Sequence, residues 1–411
     1  MKVSFRLLFV SVLTTTCITW FTAASDALAS GIEQLNTTDV ETATSSADDR
    51  QEERRLRREL RRGTRPAPEP EPAPAPVPEP APEPQPIPAP GVKAAPEGIY
   101  HSAGVITRNH RGGTLVREGI NDQAHMSGTL VRVEWAAINS APGVFDFSAI
   151  SNELAKAAEL NSAINLAILD SFAMPDFVIA ACETFDFTFR RQAKTTCLPW
   201  DTAYQAYKAQ LVAALGQQFD SHPNLAGVYF SYAAMTNGIE MHWRVNEADF
   251  AAAGYTEARL LDSYNTIMDM YNAAFPSTSI IMEVHEVFRS PTLAENAFDY
   301  CQATMGSRCG VAIWWCSSRM ATNPRESEYS VYHIAQQATE LSFAVCQSIG
   351  SFTDSPERFD SGQGWTTEEA FIHEMSFFIN EGFRNFELWS NDVSNPALID
   401  ILHSQVLPEL N

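Results

Sequence analysis

From position 97 onward one theme recurs along the chain: a short apolar run rich in β-branched residues, a loop, then a segment whose apolar residues fall three and four apart. Strands are predicted over 104–107, 129–135, 163–170, 225–232, 279–285, 311–316, 342–349 and 385–389. Helices are predicted over 147–159, 203–219, 257–274, 330–339 and 367–380, with Asp201 and Thr366 where N-caps belong. Such alternation calls for a parallel sheet covered by helices. An open doubly wound sheet would share it. Eight strands over about 315 residues, and the lack of a Gly-rich phosphate loop after the first, favour a closed (β/α)8 TIM barrel.

The first 96 residues do not read as part of that barrel. Residues 1–29 have a short basic start, an apolar run interrupted by threonines and a small-residue Ala27-Leu-Ala29 end, the pattern of a secretory signal peptide. A secreted, extracellular protein is expected, with no membrane association once the signal is cleaved. Residues 30–63 are polar and charged and cannot bury a core. Residues 64–96 are Pro-rich and form a semi-rigid, disordered linker, leaving 97–411 as the folded domain.

A net charge of −22 argues against nucleic acid as a partner, because phosphate binding needs a basic surface. Cys17 falls in the signal peptide, which leaves Cys182, Cys197, Cys301, Cys309, Cys316 and Cys346. An even number in a secreted chain implies disulfides. Spacing suggests Cys182 with Cys197 and Cys301 with Cys309; Cys316 and Cys346 either bridge neighbouring strands or remain buried thiols. No Cys or His spacing matches a zinc site, and no metal or cofactor is expected.

Ligands of parallel α/β barrels bind beyond the carboxyl ends of the strands. Glu134, Trp135, Asp170, Asn237, Glu240, His242, Glu283, His285, Trp314, Trp315, Gln347, Glu387 and Trp389 all lie on or just after predicted strands. Carboxylates and indoles dominate. Two carboxylates flanking a glycosidic bond are what sugar hydrolysis needs, and aromatic faces cover the apolar side of a pyranose. Glu240 and Glu387 are the candidate catalytic pair; the others are candidate substrate contacts. Glu283 and His285 share a strand face, where the bland reading is a satisfied core histidine. Trp314 and Trp315 must face opposite sides.

Residues 131–150, with Glu134-Trp135, a Pro142-Gly143 turn and Phe145-Asp-Phe-Ser148, resemble the second-strand region of retaining (β/α)8 glycoside hydrolases related to β-galactosidases and cellulases. Asn237-Gly-Ile-Glu-Met-His242 is similar to the fourth-strand segment carrying that clan's acid/base, and Trp389 to the aromatic under the reacting sugar. The resemblance implies a carbohydrate substrate and a two-carboxylate mechanism with Glu240 as acid/base. The sequence departs from the clan in two places. Asn237 and Glu240 are separated by two residues, and the seventh strand offers Gln347 where the nucleophile belongs. Glu387 or Glu283 supplies the second carboxylate, or the barrel no longer hydrolyses sugars.

Arg54-Arg-Leu-Arg57 and Arg58-Glu-Leu-Arg61, beside Glu52-Glu-Arg54, resemble the host-targeting leader of secreted oomycete effectors. The bland reading is an exposed charged tail or a processing site. Two functional classes stay open: a secreted glycoside hydrolase, or an inactive barrel that binds carbohydrate or a host protein as an effector.

Overall fold

In a computed structural model of the protein, residues 91–359 and 362–410 are described. The segments read from the sequence as a signal peptide, a charged stretch with Arg-x-Leu-Arg runs and a linker, up to position 90, lie outside the described residues. Eight parallel strands close into a barrel: β1 (Gly98–Ile106), β2 (Gly128–Glu134), β3 (Ala163–Leu169), β4 (Leu225–Tyr229), β5 (Ser279–Glu283), β6 (Cys309–Cys316), β7 (Phe343–Ser348) and β8 (Asn385–Trp389). Each pairs with its sequence neighbours, and β8 closes on β1. The expected TIM barrel is the fold.

Helices α1 (Ser148–Glu159), α2 (Thr202–Phe219), α3 (Glu257–Ala274), α4 (Thr292–Met305), α5 (Tyr332–Leu341) and α6 (Thr367–Asn380) cover the outside. Both expected caps are present. Asp201 accepts from the Tyr204 N–H at 2.8 Å, and Thr366 forms a capping box with Glu369.

Three details differ from the sequence reading. Strand β1 begins at Gly98 rather than 104, because the buried residues Tyr100, His101 and Ser102 look too polar for a core strand. Helix α4 was not anticipated, although Leu293, Ala294, Ala297, Phe298 and Cys301 form its buried face. Ordered contacts also begin before position 97. The Lys93 ammonium donates to the carbonyls of His222 and Leu225 and to Thr278 Oγ1 at 2.9–3.0 Å, so the tail of the Pro-rich segment is tied to the barrel floor.

Strand alternation separates two apolar populations. Val131, Val133, Ile168, Met282, Ile313 and Phe386 face outward against the helices, whereas Leu130, Ala167, Tyr229, Ile281, Ala312 and Val345 fill the barrel. The Phe343 ring lies so close to Gly310 that a Cβ there would sit 2.1 Å from it, which is why the neighbouring strand carries a glycine.

Disulfides join Cys182 to Cys197, Cys301 to Cys309 and Cys316 to Cys346, the last across the ends of β6 and β7. The first clasps a hairpin, Thr184–Phe189 with Gln192–Cys197. Among the described residues no helix is long and apolar enough to cross a membrane.

On α6 a buried carboxylate, Glu374, accepts from the Ser318 N–H at 2.6 Å and the Ser318 hydroxyl at 2.8 Å. Burial nevertheless raises it from 4.5 to about 7. Between those values the native state holds a proton that the unfolded chain has lost, so this group's contribution is full below pH 4.5 and is lost as pH rises through 7. Glu374→Gln is therefore expected to leave acid-side stability unchanged and to add about 3 kcal/mol at about pH 8. Urea midpoints at the two pH values check this; an equal shift at both would place the effect in packing.

Candidate active site

The mouth of the barrel is built where the strands run out. After β4 the chain turns through Thr236 and Gly238, both at positive φ (73° and 78°). A side chain at Gly238 would collide with Asp170 Cβ at 2.3 Å, so glycine is required for this path. The turn folds Asn237 back on Glu240. Asn237 Nδ2 donates to Glu240 Oε2 at 3.1 Å and Thr236 Oγ1 donates to the same oxygen at 3.2 Å. Asn237 Oδ1 accepts from the backbone N–H groups of Ile239 and Glu240, locking the turn. Glu240 is partly exposed, and both described donors land on Oε2.

Beside it stand two imidazoles. His242 and His285 are both buried, meet edge to face with centroids 4.6 Å apart, and His242 Nδ1 has no hydrogen-bond partner. Burial, then the neighbouring His285 and Arg244, push His242 well below the ordinary imidazole value and keep it neutral. His285 Nδ1 lies 2.6 Å from Glu283 Oε1, and Glu283 Oε2 accepts from the Met241 N–H at 3.0 Å. Burial lifts Glu283 above the ordinary carboxylate value against the pull of His285. It also works against a charged His285, yet the carboxylates of Glu283, Glu240 and Glu328 hold that ring above its ordinary value.

Across the barrel lies Glu387, fully buried on β8. Its Oε1 accepts from Tyr229 OH at 2.9 Å and Asn165 Nδ2 at 3.3 Å, and its Oε2 from Gln347 Nε2 at 3.0 Å. Burial raises its carboxyl, while these donors and the Arg132 charge pull it back. Arg132 sits above with its guanidinium 5.3 Å from the Trp314 ring and 5.5 Å from the Trp389 ring, donating to the Ala103 carbonyl and Ser102 Oγ. Trp389 Nε1 donates to the Ser348 carbonyl at 2.9 Å. Burial lowers Arg132, opposed by Glu387, Tyr229 and Glu240.

The structure thus brings Asn237, Glu240, His242, Glu283, His285, Trp314, Gln347, Glu387 and Trp389 to the interior or mouth. It turns three expected contacts away. Trp135 is fully buried behind β2, its Nε1 donating to Asn139, with the Lys208 ammonium over its ring. Asp170, one residue past β3, points outward into an ion pair with Lys208. Trp315 faces the helices and donates to the Val284 carbonyl, while its neighbour Trp314 faces in. Each lies one position from an inward residue, where alternation reverses the side chain. Glu134 stays partly exposed at the rim and accepts from the Arg108 N–H at 3.2 Å.

Sequence reasoning missed Arg132, Asn165 and Tyr229. The signal was present, since Arg132 shares a strand face with Leu130 and Glu134. It also missed that Glu240, His242 and His285 each offer one ligating atom within 4.8 Å of the others, because His285 comes from another strand.

No family model and no curated protein matches the chain. Among solved structures it is similar to the catalytic domain of β-amylase from Paenibacillus polymyxa, with 10% identity and a TM-score of 0.53 over 77% of this chain and 100% of that one. Endo-glycoceramidase II from Rhodococcus sp. matches at 12% identity, TM-score 0.46, over 78% of this chain and 81% of its own. An endocellulase from Pyrococcus horikoshii matches at 11% identity, TM-score 0.46, over 77% and 93%. At one identical residue in ten, the β-amylase likeness is one of fold, and that fold is the eight-stranded α/β barrel found here.

Proposed function

We propose that the protein is a secreted glycoside hydrolase that cleaves an O-glycosidic bond of an oligo- or polysaccharide at the barrel mouth. Glu240 serves as acid/base and Glu387 as the second carboxylate of a retaining mechanism. The observation that carries this reading is the Glu240 clamp: a partly exposed carboxylate in the loop after β4 whose Oε2 is fixed by Asn237 and Thr236, leaving Oε1 to exchange a proton with a leaving oxygen. Trp314 and Trp389, held around Arg132, supply apolar faces for a sugar ring. The disulfides agree with an oxidising compartment, and the β-amylase catalytic domain supports the reading at the level of fold.

A second reading, carbohydrate binding without hydrolysis, is favoured by one observation. Glu387 is fully buried with both oxygens occupied by neutral donors, and the adjacent strand offers an amide, Gln347, which cannot act as a nucleophile. A panel of aryl glycosides and polysaccharides, assayed for reducing-end release and for binding, separates the two. Release by the wild-type chain that disappears in Glu387→Gln supports the hydrolase with Glu387 as partner. Binding without release supports the second reading, and neither binding nor release rejects both.

A further inference from the structure

The geometry points to a divalent transition-metal site at the barrel mouth, with Glu240, His242 and His285 as its protein ligands. Each residue offers one donor atom, and the three atoms lie within 4.8 Å of one another, so small side-chain rotations bring all of them to the ~2.0–2.2 Å that zinc takes from imidazole nitrogen and carboxylate oxygen. Two further observations point to a ligand. His242 is 7% exposed, and its Nδ1 has no hydrogen-bond partner, an uncompensated state for a buried polar atom that a bound ion would relieve. His285 turns Nδ1 to Glu283 at 2.6 Å, which leaves Nε2 for an ion and sets up the carboxylate–histidine–metal relay that orients a ligating ring.

Two imidazoles and one carboxylate select zinc and its transition-metal neighbours over magnesium or calcium, which prefer all-oxygen sets. Glu328, 3.9 Å from His285 Nε2, stands next to the cluster and can close a fourth position or hold a bound water. Glu240 is partly exposed, so an ion has a route in from solvent. The site does not depend on the proposed hydrolysis. It bears on it, because a Glu240 carboxylate bound to a cation cannot carry a proton, and metal occupancy and acid/base catalysis at this residue exclude each other.

The test is calorimetric titration of zinc chloride into the metal-stripped full chain, with magnesium chloride in parallel. One zinc ion per chain is expected at micromolar or tighter affinity, with no magnesium uptake. His242→Gln and Glu240→Gln are each expected to weaken zinc binding at least tenfold. His285→Gln also breaks the Glu283 contact, so His242→Gln, whose Nδ1 holds nothing in the fold, is the decisive variant, with its far-UV spectrum matched to wild type. Absence of zinc binding by folded wild type, or unchanged affinity in folded His242→Gln, overturns the proposal. Zinc binding by a chain that releases no sugar from any glycoside would sustain the site while removing the hydrolase reading, so the two can fail separately.

Discussion

Glu240→Gln is expected to lower kcat by about 10²–10⁴ on a glycoside with a poor leaving group, with KM little changed. The substitution keeps the side chain's size and leaves an oxygen to accept from Asn237 Nδ2 and Thr236 Oγ1, so the turn after β4 keeps its shape. What it removes is the proton. A substrate whose departing group needs no protonation, such as an activated aryl glycoside, should lose far less in its bond-cleaving step. That contrast identifies general acid catalysis, because a merely structural role would depress both substrates alike. Parallel kcat/KM measurements on the two substrate types, which report the bond-cleaving step, decide it, and equal losses would remove Glu240 from the acid/base role. The variant should also lose zinc affinity, which ties the two uses of this carboxylate to one atom group.

The largest loss of stability is expected from the ion pair behind the barrel. Lys208 on α2 and Asp170 after β3 meet at 2.7 Å, and neither side chain is exposed. The ammonium also donates to Ser231 Oγ at 2.8 Å, and Tyr204 OH donates to the carboxylate at 3.0 Å. Burial disfavours the charged lysine, but Asp170 and the Tyr271 hydroxyl more than offset it and hold its pKa above the ordinary value. Removing one partner strands the other charge in a dry environment. Lys208→Met should therefore destabilise the fold by about 3–5 kcal/mol, whereas the double variant with Asp170→Asn should recover most of that loss. Urea unfolding of the single and double variants measures the coupling. Additive losses would show that the pair is not the source of the cost.

This pair also shows where sequence reading loses resolution. Asp170 was placed among the substrate contacts because it ends an apolar run, and the run does become a barrel strand. Its direction is set by alternation: Leu169 faces the barrel interior, so the next residue points outward. Trp135 and Trp315 were misdirected in the same way. Glu387 and Trp389, by contrast, lie two apart on β8, where alternation puts both on one face, and both face the same side of it in the structure. The cysteines were legible for a different reason. Cys182 and Cys197, and Cys301 and Cys309, are close along the chain, so few other pairings compete. Cys316 and Cys346 were left open because their meeting depends on β6 and β7 being neighbours.

The barrel itself was readable because eight apolar strands alternating with amphipathic helices can bury their faces in few ways, and that pattern is local to each segment. The chemistry of the mouth was not local. Arg132 between two indoles, Glu387 under the amides and hydroxyl of three other strands, and the Glu240 and His242 loop after β4 beside His285 just past β5 exist only once the sheet closes. Periodicity decides which face a residue occupies, but its partners come from strands far away in the sequence, and their distance is set by the barrel's register and curvature.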